Sequence, residues 1–452
     1  MENANVDVAA EVVGAHPEGV QGREASGQRE VVARADGGVD LRVRRDIACL
    51  SRRPCVAHKA CRSDDPHGVA TRHASRWPVP GPCRAIAAIL RPPIGEIPHR
   101  MYFRALGTAT PPSRFTKAQC LEAFQRSAWF SRLGTRSHLI ARTVLQRDNG
   151  IEARRLAIDS LDEVFTIDPD TLGRRFLAHA PTLAADAAGR ALVSARLEPA
   201  QIGAVVVSTC TGYVCPGLSG HVVERLGLRD DVQAFDLVGQ GCAAALPNLQ
   251  LARSLIGSGA AEHVLSVCVE VSSAAMYLDD DPGVLISACL FGDGAGAAVL
   301  SRDPVVGTRR IEWKDSASLI EPKQRKALMF EQRDGMLRNV LTREVPGLAA
   351  EYAHRVLETV LDRHHLNGGD VAAWIMHAGG RDVLIALEKR FELDGDAFRY
   401  SAAMLREYGN LSSAFVYFVL EAALADDAPG GWWWLSSFGA GFSCHGALLA
   451  VE

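Results

Sequence analysis

The sequence predicts a layered α/β fold, and three features carry that prediction. Strand-like and helix-like segments alternate from about residue 100 to the C-terminus. Residues 202–210, Ile-Gly-Ala-Val-Val-Val-Ser-Thr-Cys, form a continuous apolar run of strand length, the pattern of a strand buried on both faces of a sheet. A similar plan of helices and strands recurs after Ser301, which suggests an internal duplication although no residue-level repeat is visible.

Order is expected to begin at Met101 with a short strand that ends in the turn at Pro111-Pro112. A helix follows over 116–129 with Thr116 as N-cap, and a second spans 172–197 with Phe176, Leu177, Leu183, Ala187, Ala191 and Leu192 in helical phase. After the 202–210 strand come a helix over 218–226, a strand over 232–238, a helix over 243–256 and a strand over 263–271. The second half reads as a helix over 345–363, a strand over 371–377, helices over 382–391 and 411–424, and closing strands over 432–437 and 443–451. Trp432 to Trp434 are read as core, because neighbours on a strand point to opposite faces.

Composition limits the function. The 452 residues are 48% hydrophobic and 23% charged, the balance of an ordinary globular protein whose length allows up to about three domains. A net charge of -4 gives no reason to expect nucleic acid as a partner. Eleven cysteines, an odd number with several in apolar runs, suit reduced thiols in a cytoplasmic protein rather than a disulfide framework. The first thirty residues lack a basic start followed by an apolar core, so no secretory signal is expected. No apolar run approaches the roughly 18 residues of a membrane helix, so no stable membrane insertion is expected.

Residues 1–100 read differently. They are rich in Arg, Pro, Gly, His and Ala without period 2 or 3.6, and prolines at 78, 80, 82, 92, 93 and 98 break any long helix. The expectation is a disordered extension, or translated sequence upstream of a start at Met101. Cys49, Cys55 and Cys61 recur every six residues near His58 and His67, but this is not a CxxC-type zinc spacing.

The chemistry gathers around Cys242, in Gly239-Gln-Gly-Cys-Ala-Ala-Ala-Leu. A strand runs into this glycine turn and a helix runs out of it. That places the thiol near a helix N-terminus, where unpaired N–H groups favour the thiolate. On this stretch alone a nucleophile and a buried small hydrophobe are both open. Pro247, five residues on, implies a kink or a later helix start. Two more turns supply polar groups: His377 ends the strand before Ala-Gly-Gly, and Asn410 follows Gly409 before a helix. Strand ends and helix starts on one sheet edge are where α/β folds place ligands. Together the three residues form a Cys/His/Asn set.

These motifs resemble the type III polyketide synthases, the chalcone and stilbene synthase family, in its bacterial branch. The likeness runs from about Met101 to the C-terminus. It rests on Gly-Gln-Gly-Cys242-Ala, on Leu290-Phe-Gly-Asp-Gly-Ala-Gly, on Trp374-Ile-Met-His377-Ala-Gly-Gly and on Glu407-Tyr-Gly-Asn410-Leu-Ser412-Ser-Ala. Val345-Pro-Gly, Thr209-Cys-Thr-Gly-Tyr-Val-Cys-Pro-Gly and the closing Phe438-Gly-Ala-Gly add to it, with Ala440 where the family has Pro. The resemblance implies a thiolase-like fold with two duplicated αβαβα halves in five layers. They would divide at about residue 305, with Cys242 in 101–305 and His377 and Asn410 in 306–452. It further implies a homodimer and condensation of malonyl-CoA units onto an acyl-CoA starter, with no metal and no cofactor beyond the CoA thioesters. Chemistry assigns matching roles. Cys242 would carry the acyl group as a thioester, Asn410 and His377 would donate to the enolate oxygen, and His377 would hold Cys242 as thiolate.

Further positions follow from the resemblance. Phe291 corresponds to an aromatic between the CoA tunnel and the cavity, or is a packed core residue. Asn339 stands where plant enzymes carry a second gatekeeper phenylalanine, and Ala275 where they carry a cavity threonine. Cys210 and Cys215 occupy cavity-lining and dimer-crossing positions, or are small packed hydrophobes. Ser412 follows Asn410 in the substrate site, and Arg132, Arg136 and Arg142 fall in a basic segment suited to CoA phosphates, or are solvated surface arginines. Small side chains at 275 and 339 would open the cavity, favouring a fatty acyl starter and a resorcinol- or pyrone-type product. Asp279-Asp-Asp281 reads as a solvated turn. Two alternatives stay open: an initiating ketoacyl-carrier-protein synthase, and an inactive thiolase-fold binding protein.

Overall fold

The structure, a computed structural model, describes residues 100–452 apart from residue 147, so the expectations for the first hundred residues fall outside it except at their last residue, Arg100. The first half of the chain gives strands β1 (Met101–Ala109), β2 (Arg114–Thr116), β3 (Ala153–Arg155), β4 (Ala204–Ser208), β5 (Gln233–Leu237), β6 (His263–Glu270) and β7 (Gly294–Ser301). Its helices are α1 (Lys117–Arg126), α2 (Thr135–Gln146), α3 (Pro169–Ala195), α4 (Leu218–Leu226), α5 (Ala245–Gly257) and α6 (Pro282–Leu290). The second half gives β8 (Ile311–Ile320), β9 (Leu328–Arg333), β10 (Met336–Leu341), β11 (Val371–Met376), β12 (Gly431–Gly439) and β13 (Ser443–Val451). With them come α7 (Val345–Arg363), α8 (Arg381–Phe391), α9 (Arg399–Tyr408) and α10 (Phe415–Ala425).

Nine strands pair in the order β11-β12-β13-β8-β1-β7-β6-β4-β5. The duplication is visible in this order. β1 pairs antiparallel with β7, β7 antiparallel with β6, and β6 parallel with β4. β8, β13, β12 and β11 repeat the same sequence of senses, and β5 is the strand that only the first half has. The halves meet through two pairs, Met101 with Trp313 and Tyr102 with Glu312. α3 and α4 cover the first half-sheet and α7 the second, while α5 and α10 each touch strands of both. The result is five layers, with the two central helices starting just after Cys242 and just after Asn410.

Local chemistry explains the elements. The Thr116 side chain accepts from Gln119 N at 3.2 Å and Gln119 Oε1 returns to Thr116 N at 2.8 Å, a capping box that starts α1 as expected. β4 is buried along its whole length, and Trp433 and Trp434 are core. α6, Pro-Gly-Val-Leu-Ile-Ser-Ala-Cys-Leu, shows no helical period because it is apolar nearly all round and buried. β7 begins Gly-Ala-Gly, which reads as loop, yet every residue of it is buried between β1 and β6. The β9–β10 hairpin turns on Asp334-Gly335, both at positive φ, a two-residue turn whose Asp-Gly signal is present in the sequence.

Candidate active site

Cys242 lies in a single 3-10 turn, Gly241–Ala243, between β5 and α5. The closing turn after β12 packs on it backbone to backbone: a Cβ on Gly439 would meet Ala243 N at 2.5 Å and Gln240 O at 2.6 Å. α5 starts at Ala245, so Pro247 is its third residue, where the missing N–H is one of the helix's unpaired donors. The helix therefore starts later than the glycine turn suggests, and no kink is needed.

His377 follows β11, and its N–H donates to Ser436 O at 2.9 Å. Its ring meets Phe438 edge-on at 5.0 Å and Phe415 at 5.5 Å, and neither ring nitrogen has a hydrogen-bond partner. Burial with no compensating charge pushes the imidazole down to about 3. Asn410 is fixed on three sides. Its Nδ2 donates to Gly379 O at 3.2 Å, its Oδ1 accepts from Ser412 N at 2.8 Å, and its backbone bridges the Phe291 segment. Cys242, His377 and Asn410 line one cavity of about 590 Å³ with Phe291 and Phe438.

The thiol's partner is not the histidine. Ser412 Oγ donates to Cys242 Sγ at 3.3 Å and lies 3.2 Å from Cys210 Sγ. Ser412 holds φ at +51°, a strained conformation for a residue with a side chain. Burial pushes the Cys242 thiol up to about 12, against the hydrogen bond from Ser412. Burial thus disfavours the charged form of both groups, and the expected imidazole-held thiolate has no Cys242–His377 hydrogen bond to support it in this geometry. A neutral imidazole can take the thiol proton as the sulfur attacks, and its N–H and the free Asn410 N–H can donate to a developing oxyanion.

Two models of known families match end to end. FAE1/type III polyketide synthase-like protein covers residues 114–313, and the C-terminal domain of chalcone and stilbene synthases covers 314–450. The chain belongs to the type III polyketide synthase family. Its fold is that of 1,3,6,8-tetrahydroxynaphthalene synthase from Streptomyces coelicolor A3(2), with a TM-score of 0.71 at 24% identity over 78% of this chain and 99% of that one. PKS-I from the brown alga Ectocarpus siliculosus gives 0.71 at 24% over 78% and 98%, and the fungal type III polyketide synthase ORAS gives 0.67 at 26% over 78% and 100%. This polyketide synthase is thus an acyltransferase that works by decarboxylative Claisen condensation, on the thiolase-like fold.

The remaining expected residues divide. Phe291 stands between the 590 Å³ cavity and an inner one, lining both. Cys210, Ala275, Asn339 and Ser412 line the inner cavity. Cys215 is exposed and lines no cavity of its own chain among those described. The expectation that small residues open the inner cavity is corrected: it measures about 30 Å³, because Phe330 on β9 fills the space beside Asn339. Arg132, Arg136 and Arg142 do not line the mouth. Arg132 and Arg142 instead lie over the rings of Trp129 and Phe130, while Arg343 and Arg381 reach the mouth. Sequence reasoning also missed Glu270, a fully buried carboxylate accepting from Cys210 N at 3.0 Å, Thr211 Oγ1 at 2.9 Å and Ser413 Oγ. Adjacency to Val345-Pro-Gly and to His377-Ala-Gly-Gly was the available signal for Arg343 and Arg381. Glu270 ends an apolar strand and gave none. Among the described residues no cluster of His, Cys, Asp and Glu could hold a metal.

Proposed function

We propose that this polyketide synthase takes a fatty acyl starter from CoA onto Cys242 and extends it with malonyl-CoA to a resorcinol- or pyrone-type product. Loading forms the Cys242 thioester and releases the CoA thiol. Malonyl-CoA then loses CO₂, and the enolate oxygen is held by the Asn410 amide and the His377 ring. The enolate carbon attacks the Cys242 thioester, the new C–C bond expels the sulfur, and the extended chain leaves as its CoA ester.

The observation that carries the starter reading is what the inner cavity adjoins, since its own lining is small and mixes Ser, Thr and Asn with apolar groups. Past Leu156, Met276 and Ala288 it adjoins a second pocket lined, apart from Arg154, by apolar residues such as Phe124, Leu145, Phe165 and Leu285. Past Cys210, Thr211 and Phe330 it adjoins an outer pocket of about 460 Å³. Such surroundings suit an alkyl chain better than a polar ring. A homodimer is part of the proposal, supported by the β5 sheet edge, beside which Tyr213 and Val238 are strongly exposed. We also place the enzyme in the cytoplasm. No helix among the described residues is long and apolar enough to cross a membrane.

The test is an acyl-CoA panel with malonyl-CoA and mass spectrometry of the products. Alkyl-bearing products from medium or long chains are expected without carrier protein. Product from aromatic starters alone would reject the fatty-chain reading, and turnover that requires a carrier protein would favour the ketoacyl synthase reading. Light scattering of the purified protein tests the dimer.

A further inference from the structure

The Asp279–Asp281 turn is solvated as expected, with Asp280 and Asp281 exposed, and it is also a junction. Asp279 Oδ2 accepts from Arg338 Nε on β10 at 2.8 Å. Asp280 Oδ1 accepts from Gly134 N, just ahead of α2, at 3.0 Å. Asp281 Oδ1 caps α6 by accepting from Gly283 N at 2.8 Å, while its Oδ2 lies 3.2 Å from Arg338 Nη2. Arg338 also donates to Glu331 on β9 at 3.1 Å, and Arg333 lies 3.3 Å from the same carboxylate. One guanidinium, its side chain only 9% exposed, is thus shared by three carboxylates.

The elements tied together here are the walls of the site. Asp281 at the N-cap of α6, Ile286 within it, and Leu328 and Leu341 from the hairpin line the mouth. Deeper in, Ser287 and Ala288 face Phe330 and Asn339 across the inner cavity. Register pairs Phe330 with Asn339 and Glu331 with Arg338. The cavity pair and the ion cluster are therefore one step apart, on opposite faces of the hairpin.

The hairpin makes no ladder with the nine-stranded sheet, and an isolated pair of strands has little stability of its own. Three contacts tie it to the α6 region. Leu341 O packs where a Cβ on Gly283 would sit, at 2.3 Å, Ser287 Oγ donates to Asn339 Oδ1 at 3.2 Å, and Arg338 holds the aspartate turn. We propose that Arg338 is a positioning residue for acyl-chain specificity: by tying β9–β10 to the Asp279–Asp281 turn it fixes how far Phe330 and Asn339 intrude on the inner cavity. This rests on that cavity holding the acyl chain, as proposed above. Without the guanidinium, three carboxylates face one another with Arg333 as their remaining cation, and the hairpin is driven away from α6.

The test uses the full-length enzyme with Arg338→Met, Arg338→Lys and Asp279→Asn. The readouts are kcat/KM for hexanoyl-CoA and palmitoyl-CoA, and decarboxylation of malonyl-CoA alone. Arg338→Met should shift the palmitoyl-to-hexanoyl ratio about tenfold toward the longer chain, the discrimination of about one methylene. Asp279→Asn, which leaves Arg338 its pairs with Asp281 and Glu331, should shift it the same way by about threefold, with decarboxylation held within about twofold in both. Arg338→Lys, keeping the charge but not the fork, should shift it by less than about threefold. A ratio unchanged in both Arg338→Met and Asp279→Asn would overturn the proposal. So would a parallel fall of both starters and of decarboxylation in the two variants, which marks a merely structural contact. Absence of malonyl-CoA decarboxylation in the unmodified enzyme would fail the site reading itself, and the proposal with it.

Discussion

Ser412 Oγ lies 3.3 Å from Cys242 Sγ and donates to it, while both ring nitrogens of His377 stand without a partner in the same cavity. The Cys242 sulfur is thus held by a hydroxyl, and a hydrogen bond to His377, absent in this geometry, is one that substrate binding could tighten, as catalytic hydrogen bonds often do.

Alkylation of the free enzyme reads this directly. With the thiol pushed up to about 12, the thiolate fraction of Cys242 grows about tenfold per pH unit across the neutral range. The rate of iodoacetamide labelling at Cys242, followed by peptide mass spectrometry, should climb from pH 7 to 9 without a plateau. Ser412→Ala should slow labelling at fixed pH about fivefold, the equivalent of about 1 kcal/mol for one hydrogen bond. A plateau above pH 6 would instead mean a thiolate–imidazolium pair.

Asn339→Phe should narrow the inner cavity from the β10 side, beside Ser287. The Ser287 hydroxyl loses its contact with Asn339 but still donates to Gly283 O at 3.0 Å, so no buried group is left unpaired. The expected outcome is a fall of about tenfold or more in kcat/KM for long acyl-CoA relative to short, read in competition assays, with a lowered melting temperature because the ring overfills a cavity of about 30 Å³.

Arg343 and Arg381 are the cations at the mouth, and Arg381 is already engaged with Asp148 at 2.8 Å. Arg343→Glu should therefore raise KM for malonyl-CoA by about tenfold with little change in kcat, an effect that added salt reduces. Arg132→Glu should change KM by less than about twofold, since the cavity mouth is lined by other residues. Steady-state kinetics at two ionic strengths separates them.

The convergence of the Cys/His/Asn set was legible because its residues sit at turns between strongly patterned elements. α4 and α7 match their expected limits, and Cys242, His377 and Asn410 do converge on one cavity. What stayed hidden depends on tertiary contact. β7 reads as a glycine loop until β1 and β6 flank it, and α6 has no polar face to give a period. The ion pairing of the Asp279–Asp281 turn stayed hidden because its cation, Arg338, is 57 or more residues away in sequence and arrives only when the hairpin folds back. Phe330 was missed for the same reason: nothing local tells a strand phenylalanine that fills a cavity from one that packs a core.

Acid sensitivity should come from histidines outside the catalytic set as well. His445 on β13 is buried, its Nδ1 is 2.8 Å from Ser318 Oγ, and its Nε2 has no partner. Burial pushes it down to about 4, below the 6.5 of an exposed ring. Between those values the unfolded chain binds a proton that the folded chain does not, so the neutral ring's stabilising term is complete above 6.5 and is lost as pH falls toward 4. From pH 7 to pH 5 that amounts to about 2 kcal/mol at about 1.36 kcal/mol per unit. Urea unfolding of the protein and of His445→Gln at the two pH values checks it. The variant should be less stable at pH 7 but should lose about 2 kcal/mol less on acidification, because His377 and His263 titrate equally in both proteins. Equal losses would mean that His445 finds a proton-accepting partner in the folded state that its unpaired Nε2 does not show.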